Sequence, residues 1–104
     1  MTTSTQEDIY SDVNGISDIH KIGRLIRQDM DKARSREQVT ELKKRSDYLC
    51  TLTFSPAWQK RFGGKSERLL VAAKEENERS VRKANRIGRD KGWDVEYHAW
   101  GSGQ

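Results

Sequence analysis

Between Glu7 and Ala33 the apolar residues Ile9, Val13, Ile16, Ile19, Ile22, Ile26, Met30 and Ala33 recur every three or four positions, the spacing of one helix face. At about 100° per residue, Val13 and Ile16 do not share a line with Ile22 and Ile26. Asn14-Gly15 lies between the two sets, and that dipeptide is a turn signal. The pattern therefore predicts a helix over 17–33, capped by Ser17 or Asp18, with 7–14 as a separate short helix or arm. Ser35, followed three residues later by Gln38, reads as a capping box opening a second helix over 36–53. Val39, Leu42, Ser46, Leu49 and Thr53 form its inner face, with Cys50 and Leu52 beside them. The short link at Arg34–Ser35 makes the two helices an antiparallel hairpin.

Ser55-Pro56 starts a third helix, since proline at the first helical position lacks an N–H that would have no partner there. It spans 56–62, places Trp58 and Phe62 on one face, and stops at Gly63-Gly64. A long helix over 66–91 ends at Gly92, a good residue beyond a helix C-terminus. Its apolar stripe is sparse: Leu69 or Leu70, Ala73, Val81, Ala84 and Ile87. The residues 93–100 alternate apolar and polar, a strand period, but one such segment cannot form a sheet alone. The expected architecture is all-α: one small helical bundle over 1–104, with an extended aromatic tail. Because isolated helices are marginal, the sparse stripe of the long helix predicts a homodimer in which a second copy covers it.

Composition sharpens this. Apolar residues are 33% of the 104-residue chain and charged residues 35%, against a usual 45–50% and about 25%. Such a chain holds too little apolar surface for a large enclosed reaction centre, which argues against an enzyme. No apolar run approaches the ~20 residues that span a bilayer. The N-terminal segment lacks the basic start and apolar stretch of a secretory signal. With a single cysteine and no possible internal disulfide, a soluble, cytoplasmic protein is expected.

Net charge is +4, unevenly spread. Residues 1–20 contain four acids and no Lys or Arg, whereas 65–92 contain nine bases and five acids. On the long helix Arg79, Arg82, Lys83, Arg86 and Arg89 fall along one side. Such a stripe can neutralise phosphates, and arginine's planar fork suits them.

Catalytic patterns are weak. Cys50 sits late in its helix among apolar residues, not at the electropositive N-terminus a reactive thiol favours. His20 and His98 have no neighbour at metal-ligand spacing, so no metal is expected. Glu75-Glu76-x-Glu78 and Glu7-Asp8 with Asp12 read as solvated, salt-bridged faces. Gly63-Gly64-Lys65-Ser66 resembles the end of a phosphate-binding loop, but Gln59 stands where its first glycine belongs and no strand precedes it. No catalytic residue or cofactor is therefore assigned.

Two binding functions follow. In the first, a non-enzymatic regulatory protein docks an acidic protein partner, with Trp93, Tyr97 and Trp100 as anchors and the basic face steering the encounter. In the second, the five cations of the long helix hold nucleic acid.

Overall fold

The first two long helices begin in the same way. In α1 (Ile16–Lys32) Gly15 takes the N-cap position, and Asp18, three residues on, reaches back to accept from the Asn14 N–H at 2.8 Å. In α2 (Arg36–Leu52) the N-cap Ser35 Oγ accepts from Gln38 N–H at 3.2 Å, while Gln38 Oε1 reaches back to Arg34 N–H at 2.6 Å. Each helix thus satisfies a donor just before its start from its own first turn. Asp18 serves α1 from within rather than capping it from outside, which is why the helix starts before it.

The computed structural model describes residues 13–101. Ile9 and most of the 7–14 segment lie outside the described residues. Val13 and Asn14 are not helical, and Val13 is buried. α3 (Pro56–Phe62) has Pro56 in its first turn and Ser55 Oγ accepting from Trp58 N–H at 3.2 Å. A 3₁₀ turn over Gly63–Lys65 leads directly into α4 (Ser66–Lys91). Gly63 holds φ 57°, a left-handed value that favours glycine.

α1, α2 and α4 pack on one another, and α3 closes the end where α4 begins. The core is built from the predicted faces, Ile19, Ile22, Ile26 and Met30 of α1; Val39, Leu42, Leu49 and Cys50 of α2; Trp58 of α3; Leu69, Ala73 and Ala84 of α4, with Ala72 of α4 added to them. Trp58 meets Phe62 edge-on, with ring centroids 5.3 Å apart. Ile16 instead stands 40% exposed, consistent with the break in the apolar line at Asn14-Gly15. The fold is an all-α bundle. No helix among the described residues is long and apolar enough to cross a membrane.

α4 stops at Gly92, whose left-handed φ of 74° turns the chain so that Trp93 N–H donates to Gly88 O at 2.9 Å. The tail then runs back along α4 without forming a strand. Asn85 Oδ1 accepts from Tyr97 N–H at 2.8 Å and its Nδ2 donates to Tyr97 O at 3.0 Å, so one side-chain amide fills the role of a neighbouring strand. Trp100 N–H donates to Asn77 Oδ1 at 2.8 Å, and its ring stacks on Phe54 at 5.7 Å. The Tyr97 hydroxyl lies 2.7 Å from Thr40 Oγ1. Between these anchors Val95 packs onto Gly88, where a Cβ would come within 2.6 Å of it. The sparse stripe of α4 is therefore covered by α1, α2 and the tail of its own chain, which removes the reason for expecting a second copy.

Candidate functional site

Twenty-six residues of α4 carry two opposite faces. The inner one buries Ala72, Ala73, Glu76, Asn77, Ser80, Val81, Ala84 and Gly88, small or polar residues that let neighbouring elements approach closely. Asn77 is fully buried and satisfied: its Nδ2 donates to Ser46 Oγ at 2.9 Å and to Asp47 Oδ1 at 2.8 Å, while its Oδ1 accepts from Trp100.

Glu76 overturns one expectation. The cluster Glu75-Glu76-x-Glu78 is not a uniformly solvated face: Glu75 and Glu78 are exposed, but Glu76 is only 2% exposed. Its carboxylate is held by two residues of α1. His20 Nδ1 lies 2.6 Å from Oε2, and Arg27 Nη1 donates to Oε1 at 2.7 Å. Burial alone would push the Glu76 carboxyl up; the hydrogen bonds from His20 and Arg27, with Arg27's charge, outweigh it and hold the carboxyl below its ordinary value. Gly23 makes this possible, since a Cβ there would fall 2.1 Å from Glu76 Oε1 and 2.7 Å from Glu76 Cβ. The buried carboxylate and the missing side chain are complementary halves of the α1–α4 contact.

The outer face carries the basic stripe, and the structure gathers it into a groove of about 550 Å³. Arg79, Arg82, Lys83, Arg86 and Arg89 line it together, as the helical spacing places them, and Arg27 from α1 and Asn85 from α4 join them. On the α1 side the wall is fixed by the Arg27–Glu76 pair and by Lys83 Nζ donating to Asp31 Oδ2 at 2.8 Å. Asn85, clamped to Tyr97, marks the tail side. No carboxylate is among the lining residues. Arg79, Arg82, Arg86 and Arg89 are exposed, and their side chains make no hydrogen bond or ion pair with any other described residue. Four guanidinium groups therefore present their donors to whatever enters.

The tail residues are placed differently. Trp93, Tyr97 and Trp100 are partly buried and pack against the core, with Tyr97 and Trp100 anchored as described above. Cys50 is fully buried; burial and the nearby Asp47 charge push its thiol up to about 12, well away from a reactive thiolate. Ser66, in the phosphate-loop-like stretch, is buried at the start of α4 with its hydroxyl donating to Gln59 Oε1 at 3.2 Å. A second cavity of about 440 Å³ lies between the end of α1 and the start of α2, where Asp29, Glu37 and Glu41 alternate with Lys32 and Arg45. No group of three or more metal-ligating side chains is found among the described residues.

Arg27 is among the cations the sequence offers beside the stripe, whereas no local signal marks Asn85. Arg27 falls on the α1 flank that faces α4, and a glycine inside an otherwise regular helix, as at Gly23, signals close approach. Nothing in the sequence pairs Glu76 with partners 49 and 56 residues away.

Comparison with known protein families, with characterised proteins and with solved structures finds no match to this chain.

Proposed function

We propose that this chain is a non-enzymatic nucleic-acid-binding protein that holds phosphates of the backbone in the groove along α4. One observation carries the reading: four arginines without partners among the described residues converge with Lys83 and Arg27 on a concave surface whose lining contains no carboxylate. Arginine normally finds a carboxylate when one is at hand, as Arg27 does. Guanidinium groups held open in one groove suit a ligand rich in phosphate oxygens, which they engage by paired N–H donors. The buried thiol Cys50 fits a reducing compartment, so a cytoplasmic setting is part of the reading. The proposal needs no second copy of the chain.

The second reading keeps the acidic protein partner docked on the tail. Its support is the Phe54–Trp100 stack, in which Phe54 remains 56% exposed. It is the weaker reading because the backbone and hydroxyl of Tyr97 and the backbone of Trp100 are already engaged within the chain.

Fluorescence anisotropy with a labelled oligonucleotide tests the proposal, comparing the wild type with R82A/R86A. Removing two phosphate contacts should weaken binding and lower the salt slope by about 1.5, without altering helical content. Equal affinity of the variant and the wild type would remove the groove from the function. Loss of binding on substituting Phe54 and Trp100 alone would favour the tail.

A further inference from the structure

We infer that Arg27 is the fixed phosphate contact of the groove, holding two oxygens of one phosphate by the Nε–H and Nη2–H edge of its guanidinium. The inference rests on the nucleic-acid reading above and assigns within it a role that the exposed arginines of α4 do not fill.

Arg79, Arg82, Arg86 and Arg89 stand exposed on the outer side of α4, whereas the Arg27 side chain is 16% exposed and crosses the seam between α1 and α4. Its Nη1 donates to Glu76 Oε1 at 2.7 Å and, at a longer 3.4 Å, to Glu76 O. Arginine commonly grips a carboxylate by both oxygens, with two parallel N–H groups. Here the second oxygen is taken: His20 Nδ1 lies 2.6 Å from Glu76 Oε2. Arg27 therefore spends one nitrogen on Glu76 and keeps the side edge of its fork. Neither Nε nor Nη2 has a partner among the described residues. Both are reached by solvent, and Arg27 lines the groove.

A long exposed side chain must give up rotamers when it meets a ligand, but Arg27 is already ordered by a buried partner. Its two free N–H groups match two oxygens of one phosphate, a match that an ammonium group cannot reproduce. Because the charge of Glu76 opposes that of Arg27, Arg27 contributes directional hydrogen bonds rather than counterion release. The unpaired arginines of α4 supply the charge that draws the ligand in. Arg27–Glu76 and Asp31–Lys83 are successive links between α1 and α4, and Arg79 stands between them on α4, one turn before Lys83. A phosphate seated on Arg27 is thus met by Arg79 as well.

The test is fluorescence anisotropy of the full chain with a labelled single-stranded oligonucleotide of about twelve nucleotides. Wild type, R27K and R86K are compared across a range of salt. R27K keeps a cation for Glu76 but brings no fork to the groove. It should bind at least about tenfold more weakly than the wild type at every salt concentration, with the slope of log K against log salt unchanged. R86K, which keeps the charge at an exposed position, should bind within about twofold of the wild type. A second measurement needs no substitution at the buried pair: the Nε–H resonance of Arg27 in NMR spectra of the wild type should shift on adding the oligonucleotide and saturate with the binding curve. Equal affinity of R27K and wild type, equal losses in R27K and R86K, a flattened slope in R27K, or an Arg27 resonance that stays in place would each overturn the inference and leave the phosphate reading standing. Failure of the wild type to bind the oligonucleotide removes the nucleic-acid reading itself, and the inference with it.

Discussion

Gly23→Ala is the most informative single change in this molecule, because two local rules give opposite signs. Alanine is favoured over glycine inside a helix by about 1 kcal/mol, so an exposed mid-helix site gains stability. At Gly23 the new Cβ would fall 2.1 Å from Glu76 Oε1 and 2.7 Å from both Glu76 Cβ and Cδ. The carboxylate end could swing aside, but Cβ is tied to the backbone of α4, so the helices must separate or Glu76 must leave its place. Either movement stretches the bonds to His20 and Arg27. Parting a buried charge from its partners costs about 3–5 kcal/mol. The net expectation is a destabilisation of about 2–4 kcal/mol, a large share of the stability of a small domain. Urea denaturation followed by circular dichroism measures it. Gly64→Ala is the control, because no atom lies within 4 Å of its Cβ position. In an E76G background both the carboxylate and the Cβ that meet the new methyl are gone, and Gly23→Ala should become neutral or stabilising, a coupling that a double-mutant cycle reads directly. A Gly23→Ala protein more stable than the wild type would refute the placement of Glu76.

Three further outcomes are expected. Ser80 is fully buried and its Oγ has no hydrogen-bond partner among the described residues, so Ser80→Ala should stabilise by about 1 kcal/mol in thermal or urea unfolding, and a loss of stability would contradict this. With its thiol pushed from 9.0 to about 12, Cys50 should react with iodoacetamide at mildly alkaline pH at least about a thousandfold more slowly in the folded chain than in urea, and equal rates would show an open thiol. Because the folded Glu76 carboxyl lies below its ordinary 4.5, its contribution to stability is present above that value and lost as the pH falls through the folded value. E76Q should therefore be less stable than the wild type near neutrality and show a shallower loss on acidification; parallel acid limbs would contradict this.

The hairpin and the third helix were legible because their signals are local. Ile19, Ile22, Ile26 and Met30, or Val39, Leu42 and Leu49, announce a buried face by spacing alone, and Ser35 and Ser55-Pro56 mark where helices begin. The inner face of α4 was not legible in the same way. Glu76, Asn77, Ser80 and Gly88 are polar or small, and hydropathy assigns such residues to solvent. Glu76, Asn77 and Gly88 can be buried because other parts of the chain bring matching groups: His20 and Arg27 for Glu76 and Ser46 and Asp47 for Asn77 from distant helices, and Val95 for Gly88 from the tail. A sparse apolar stripe consequently read as a face awaiting a second copy, when it was a face matched by polar pairing and by its own tail. The tail's alternation was visible, but its meaning was not, since the partner of its backbone is a side-chain amide rather than a strand. The five cations of the basic face were readable because exposed charge at helical spacing needs no partner to be recognised. That Arg27 would complete their groove depended on the α1–α4 packing.

The central claim is that unpaired arginines on α4 bind phosphates, and the salt dependence of binding addresses it most directly. With four guanidinium groups each displacing a counterion from a single strand, log K plotted against log salt should fall with a slope of about −3 between about 50 mM and about 200 mM. Replacing Arg79, Arg82, Arg86 and Arg89 by alanine should flatten that line. A steep slope that survives the fourfold replacement, or a flat line for the wild type, would contradict the account.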